Sequence, residues 1–322
     1  MRARPSARTL VTGVDGFAGA HLAQLLRGDR AALFGTIRSG HRALTGTAVK
    51  VRLHALDLGE RRAVDRLVRR VRPARVFHLA ALSSVADSWT DPGRTLSNNA
   101  GAQANLLAAL VTLDPMPRVL VVGSADEYGE PRTSRPLNED TPLRPITPYG
   151  VSKVAQDLLA LQYHLSHGLP VVRVRPFNHI GPGQSPNFAV ASFARQIAAI
   201  EAGRRPARLE VGNLRPKRDF TDVRDVVRAY RLALAEGRPG EVYNVGSGRP
   251  VALREVVERL LRMSRTAITV QVDARRVRAV EARASVCDAR RLRRRTGWRP
   301  LIPLDQTLAD TLDYWRARVG AG

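Results

Sequence analysis

Short apolar runs recur through the first half of the chain. They lie at Thr9–Val11, Ala32–Ile37, Val49–Leu53, Val76–Leu79, Val119–Val122 and Val171–Val174. Between them are stretches whose apolar residues return every three to four positions, among them Phe17–Leu26, Ala63–Val71 and Asn105–Val111. Brief continuous runs suit strands buried on both faces, and the longer period suits helices with one apolar face. Their regular alternation predicts a doubly wound parallel sheet of the α/β class. The second half is more mixed. A helix is expected through Phe188–Ile200, strands at Leu209–Val211, Val242–Val245 and Ile268–Val272, and helices at Asp225–Ala235 and Arg254–Met263. A last helix runs from Leu304 to about Arg318. With no repeat and no low-complexity linker, the two halves are expected to interleave.

Composition narrows the class of protein. The chain has 322 residues, 44% hydrophobic and 25% charged, values ordinary for a soluble globular protein. No apolar run approaches the roughly 20 residues that a membrane crossing needs. A single cysteine, Cys287, excludes an intrachain disulfide and suits a reducing compartment. The opening residues, Met1 to Arg8, lack the apolar core of a secretion signal, so a cytoplasmic location is expected. The net charge of +23 suits nucleic acid, an acidic partner or a polyanionic small molecule. Only Lys50, Lys153 and Lys217 are lysines among the 52 basic residues, a skew of the kind that GC-rich genomes produce. Ten arginines fall between Arg275 and Arg299, but Trp298 is the one aromatic there. Single-strand recognition usually adds stacking partners, so no nucleic-acid partner is expected.

The first run ends in Thr12-Gly13-Val14-Asp15-Gly16-Phe17-Ala18-Gly19 and passes straight into a helical pattern. A glycine-rich turn between strand and helix lets backbone N–H groups approach a pyrophosphate. Gly13, Gly16, Phe17 and Gly19 are therefore cofactor-binding candidates. The second strand ends in Thr36-Ile37-Arg38-Ser39, without the acid that would bind the 2′-hydroxyl of NAD. Arg38 offers instead a fork of donors for a 2′-phosphate, which favours NADP(H) while leaving NAD(H) possible. Asp57, with Leu58, follows the third strand at a position suited to the adenine. Leu79, Ala80 and Ala81 end the fourth with small side chains beside which a flat ring can pack. His78 in that run reads as a core histidine.

The sharpest signal is Tyr149-Gly150-Val151-Ser152-Lys153. On a helix starting near Pro148, the phenol and the ammonium share one face. The cation is expected to lower the tyrosine's pKa towards the range of an acid/base catalyst. Ser124 ends the fifth strand, where open α/β sheets hold their ligands.

Taken together, these residues resemble the extended short-chain dehydrogenase/reductases of the NAD-dependent epimerase/dehydratase family, those acting on nucleotide sugars. The likeness runs from about Arg8 to about Trp315. It implies a Rossmann-type NADP-binding domain over 1–175, with a return near 219–246, and a smaller interleaved nucleotide-sugar domain over 176–322. It implies that Tyr149 is the catalytic acid/base, that Lys153 tunes it and holds the nicotinamide ribose, and that Ser124 orients the reacting oxygen. Asn98 would complete a tetrad through a bound water, with Asn99 its immediate neighbour. Phe177 to Gln184, Val211 to Leu214 and Arg218 to Asp225 resemble the branch that reduces a C4 ketone on a GDP-linked 6-deoxy sugar. Leu82 to Trp89 and Thr296 to Pro300 agree with it. By position, Asn178 and Arg218 would contact the diphosphate and backbone around Leu209 and Val211 would flank the base. Arg278 would take phosphate and Glu281 ribose; Ser84 and Asp126 are further substrate-binding candidates. The resemblance also implies a homodimer built through a helix bundle, and no metal. GDP-mannose 4,6-dehydration is the alternative activity, since Asp126 stands where those dehydratases carry a glutamate. Nucleotide-sugar 4-epimerisation ranks third, because the preference for NADP opposes it.

Overall fold

The computed structural model describes residues 8–29, 31–38, 50–130, 135–276 and 284–320. Six of the expected strands form β1 (Arg8–Thr12), β2 (Ala32–Ile37), β3 (Val51–Ala55), β4 (Arg75–His78), β5 (Arg118–Val122) and β6 (Val171–Pro176). Together with Val242–Val245 they make one parallel sheet. Its order is Val242–Val245, β6, β5, β4, β1, β2, β3. The chain winds outward from β1 in one direction and then returns to lay β4 on β1's other side. A crevice opens at the carboxyl ends of those two strands, at the switch point of the topology. Register brings Thr12 opposite both Thr36 and His78 there.

Alternate residues of each strand enter different cores. Leu10, Val76 and Val119 face the helices Arg61–Val71, Ala102–Leu110 and Pro148–His167. Val11, Phe77 and Leu120 face α1 (Phe17–Leu26) and the Val223–Glu236 helix. Burial on both sides explains why the strands read as unbroken apolar runs. A third core lies among the helices Ala189–Glu201, Leu253–Arg262 and Leu304–Gly320, with Leu209, Val211 and Phe220 inside it.

Several boundaries differ from expectation, each for a reason of pairing. The third strand starts two residues late because β2 pairs Leu33 with Val51 and Ile37 with Ala55. The helix expected at Asn105–Val111 spans Ala102–Leu110 and continues from a wide π-type turn at Ser97–Gly101. Sequence pattern missed the strands Asn178–Ile180, Lys217–Asp222, Pro250–Ala252 and Ala284–Ser285. They form a small sheet around Lys217–Asp222, and that central strand carries mostly polar residues with no alternating pattern. Leu209 and its neighbours, in Arg208–Val211, pair with Thr269–Val272 instead.

Asp225 and Trp298 tie the chain's last third to the main sheet. The Trp298 indole N–H donates to the Asp225 carbonyl at 2.9 Å. The Asp225 carboxylate accepts from the N–H groups of Leu301 and Ile302, both at 2.8 Å. Trp298 is buried in the core beneath the Val223–Glu236 helix. Replacing it by alanine leaves a large cavity, and Trp298→Ala is expected to lose about 3–5 kcal/mol of stability, read from urea denaturation.

Candidate active site

The floor of the crevice is set by the turn after β1. Gly13 has φ +66°, and a Cβ there would stand 3.0 Å from the Cα of Ala80. A Cβ at Gly19 would come within 2.1 Å of the Gly13 carbonyl oxygen, so α1 packs directly on the turn. Gly16 begins α1 with no side-chain cap, and the first turn holds no acid. Its N–H groups and the positive end of the helix are therefore available to an anion. Thr12 secures the junction of β1 and β4. Its hydroxyl oxygen accepts from the N–H groups of Leu79 and Ala80, each at 3.2 Å, and lies 2.8 Å from Nδ1 of His78. Burial, aided by the Lys153 charge, pulls His78 down to about 3, so it stays neutral in the core.

The crevice has a volume of about 450 Å³. It brings together ten of the expected residues: Gly13, Gly16, Arg38, Asp57, Leu58, Leu79, Ala80, Ala81, Ser84 and Asn98. Asp57 accepts from Gly59 N–H at 2.8 Å, which shapes the turn after β3. Ser84 caps the Val85–Thr90 helix through a 3.1 Å bond from Asp87 N–H. A turn this tight, an uncapped helix start, flanking alanine and a cationic far end together fit a dinucleotide phosphate.

Beyond the Ser84 end lie the remaining catalytic candidates. Thr147 caps the Pro148–His167 helix by accepting from Gly150 N–H at 2.9 Å, and Pro148 fits its first turn. Tyr149 N–H donates to Ser88 Oγ at 3.2 Å, which docks this helix start on the Val85–Thr90 segment. The Ser124 side chain lies near enough to the Tyr149 phenol to draw its pKa down. Ser124 Oγ donates to Asp126 Oδ2 and accepts from Asp126 N–H, both at 3.1 Å. Lys153 is almost wholly buried, with Nζ donating at 2.9 Å both to the Val122 carbonyl and to Gln156 Oε1.

The electrostatics reverse one expectation. Burial comes first among the influences on Tyr149 and pushes its phenol above the usual range; the charge of Asp126 adds to this, and nearby Ser124 only partly opposes it. The lowered phenol expected from sequence is therefore absent, because Nζ is committed to Val122 and Gln156 and stands 5.9 Å from the ring centroid. Burial also brings Lys153 down to about 8, against the pull of Glu127.

Glu127 escaped the sequence reading. Fully buried, it accepts from Ser124 N–H at 2.7 Å and meets Arg175 at 2.8 Å. Arg175 also pairs with Asp157 at 2.7 Å, and Asp157 holds Arg173 at 2.9 Å. Burial and the nearby Asp157 push the Glu127 carboxyl up, while Arg175 draws it down. The signal for it, an acid three residues after Ser124, reads in sequence as a surface turn.

The other candidates fall into separate places. Phe17 stacks on His179 with ring centroids 5.8 Å apart and planes 2° from parallel. That contact joins the glycine turn to the strand bearing Asn178, which is exposed. Arg218 sits on the neighbouring strand, two residues before the partner of Asn178. Leu209 and Val211 point into the third core, so only their backbone can face a ligand. Asn98 lies beside Arg38 at 3.1 Å, and its other bond goes to Asn99. Arg278 and Glu281 lie outside the described residues.

With this geometry in hand, comparison with known proteins is informative. The family model described as GDP-mannose 4,6 dehydratase matches residues 10–311. The chain belongs to that family. Its relatives include GDP-6-deoxy-D-mannose reductase of Pseudomonas aeruginosa, 38% identical over 97% of this chain and 98% of the relative. A solved structure of RMD from Pseudomonas aeruginosa complexed with NADPH superposes with TM-score 0.84 at 36% identity, covering 97% of this chain and all of that one. UDP-glucose 4-epimerase from Thermus thermophilus, in complex with NAD, gives TM-score 0.84 at 31% identity over 96% of this chain and 99% of its own. The GDP-mannose 4,6 dehydratase family therefore shares this fold with epimerases. Among the described residues no helix is long and apolar enough to cross a membrane, and no cluster of three metal-ligating side chains occurs.

Proposed function

We propose that this protein reduces the C4 ketone of GDP-4-dehydro-6-deoxy-D-mannose with NADPH, giving GDP-6-deoxy-D-mannose. The observation that carries the reading is the placing of Ser124 beside Tyr149, one turn from the buried Lys153, next to a crevice whose far end is Arg38. The relation to the reductase of Pseudomonas aeruginosa supports the choice of substrate. Gly13, Gly16, Phe17 and Gly19 would cradle the pyrophosphate and Arg38 the 2′-phosphate, with NADH a poorer substitute. Asp57, Leu58, Leu79, Ala80 and Ala81 would line the adenine and nicotinamide path. NADPH held in this crevice would be the source of the hydride that reaches C4.

Ser124 and Tyr149 hold the ketone oxygen. As that oxygen gains charge, Tyr149 gives it a proton. A phenol held above its usual pKa is protonated at neutral pH, the state that a ketone reductase requires of its acid. The Lys153 ammonium, 5.9 Å from the ring centroid, would offset part of the charge on the phenolate left behind. Asn178 and Arg218 would take the diphosphate, Leu209 and Val211 would present backbone to the base, and Ser84 and Asp126 would face the sugar.

A second reading, GDP-mannose 4,6-dehydration, is favoured by the family model and by the exposed Asp126 beside the Ser124 hydroxyl. Nicotinamide absorbance separates the two. With GDP-4-dehydro-6-deoxy-D-mannose made in situ, one NADPH is expected to be consumed per sugar; GDP-mannose converted to the keto sugar without net NADPH loss would establish the dehydratase. Tyr149→Phe is expected to lower kcat by about 10²–10⁴-fold, and a variant with full activity would refute the assignment.

The Lys153 charge gives the reaction a pH limit. Its ammonium, brought down to about 8, is intact below that pH and lost as pH rises through it. The kcat/KM for reduction is therefore expected to fall above about pH 8, by about tenfold per unit. A profile flat to pH 10 would contradict this.

A homodimer is part of the proposal, with a cytoplasmic location suited to the single cysteine. Val151, Leu158 and Leu165 repeat every seven residues along the Pro148–His167 helix, and all three are exposed. A stripe of that kind buries well against its own copy in a bundle. Leu158→Glu is expected to shift the protein from dimer to monomer in sedimentation; a monomeric unaltered chain would count against the bundle.

A further inference from the structure

We infer that Asn98 is a positioning residue for cofactor choice: it holds the Arg38 guanidinium where a 2′-phosphate would lie. The inference rests on reading the crevice as a site for NADP. A line of hydrogen bonds carries it. Arg38 Nη2 donates to Asn98 Oδ1 at 3.1 Å, and Asn98 Nδ2 donates to Asn99 Oδ1 at 3.2 Å. Asn99 is fully buried and tied on every side: its Oδ1 accepts from Leu82 N–H at 2.7 Å, and its Nδ2 donates to the Leu82 carbonyl at 3.1 Å and to Ser152 Oγ at 2.9 Å. Ser152 Oγ in turn donates to the Tyr149 carbonyl at 2.7 Å.

The direction of these bonds settles which way the Asn98 amide points. Because its nitrogen is engaged by the buried Asn99 oxygen, its own oxygen is left facing the crevice, where it can only accept. Arg38 is the donor it meets. Both asparagines lie in the π-type turn at Ser97–Gly101, so the buried Asn99 anchors the neighbour that faces Arg38. Arg38 is exposed at the end of β2, and a long side chain there is otherwise free to leave the crevice. One bond anchors it and spends one of five donors, so the others remain for a phosphate. Asp57, on the same wall, has an oxygen engaged by Gly59 N–H, and Arg94 adds a second cation to the lining.

The test uses the intact protein and measures binding by calorimetry, with 2′,5′-ADP and 5′-AMP as probes that differ in the 2′-phosphate alone. The unaltered protein is expected to prefer 2′,5′-ADP. Asn98→Ala should weaken 2′,5′-ADP by about five- to tenfold, the size of one ordinary hydrogen bond, and leave 5′-AMP as it was. The Asn98→Asp carboxylate would claim Arg38 and repel the phosphate, for a larger loss. In an Arg38→Ala background, Asn98→Ala should cost nothing more, which separates action through Arg38 from a general structural effect. Asn99 keeps its Leu82 and Ser152 partners in each variant, so the fold is not at stake. Equal losses for both probes, a loss that persists without Arg38, or no loss at all would overturn the inference. An unaltered protein that binds the two probes equally would instead overturn the NADP reading beneath it.

Discussion

The guanidinium of Arg175 is the constraint on which the catalytic geometry depends. Glu127, on the turn that carries Ser124, lies on one side of it; Asp157, on the helix that carries Tyr149 and Lys153, lies on the other. Three elements distant in sequence are thereby locked by charges that water scarcely reaches. Such a cluster is weak support for stability, because desolvation offsets most of the attraction, but losing one member is severe. Its value here is positional. Glu127 presents its carboxylate to Ser124 N–H, and the same carboxylate feels Arg175, so the serine's place and the charge cluster are one structure.

The crevice has a different logic, one of steric exclusion. The turn after β1 leaves no room for a side chain at Gly13 or Gly19. Thr12 then fastens the neighbouring strand end with two N–H bonds to one hydroxyl. An anion seated on this turn would meet backbone, with Arg38 at the far end of the crevice. The strand that carries Asn178 reaches this turn through the stacked rings of Phe17 and His179.

How much of this was legible beforehand depended on the range of the interactions. The glycine turn, the alternation of strands and helices around it and the spacing of Tyr149 and Lys153 are local patterns, and they stood in the sequence. Asn98 was harder. Its partner Arg38 lies sixty residues away and Ser152, the partner of Asn99, lies on another helix, so neither contact could be read from local pattern. Glu127 was invisible because its partner Arg175 comes from a different strand. The tyrosine's pKa was misjudged for a related reason: spacing shows a nearby ammonium, but not that the ammonium's bonds lead elsewhere or that the phenol is buried. The strands at Asn178–Ile180 and Lys217–Asp222 owe their form to pairing rather than to alternating hydrophobicity.

The burial of Lys153 also gives meaning to the composition. Of the three lysines in a chain otherwise furnished with arginine, Lys50 and Lys217 are exposed, where either cation would serve. At position 153 the slot admits a compact head between one carbonyl and one amide oxygen. A guanidinium is planar, wider, and keeps its charge at any pH a protein survives. The exchange of lysine for arginine therefore meets a steric boundary here, because the slot takes a compact cation held by two oxygens.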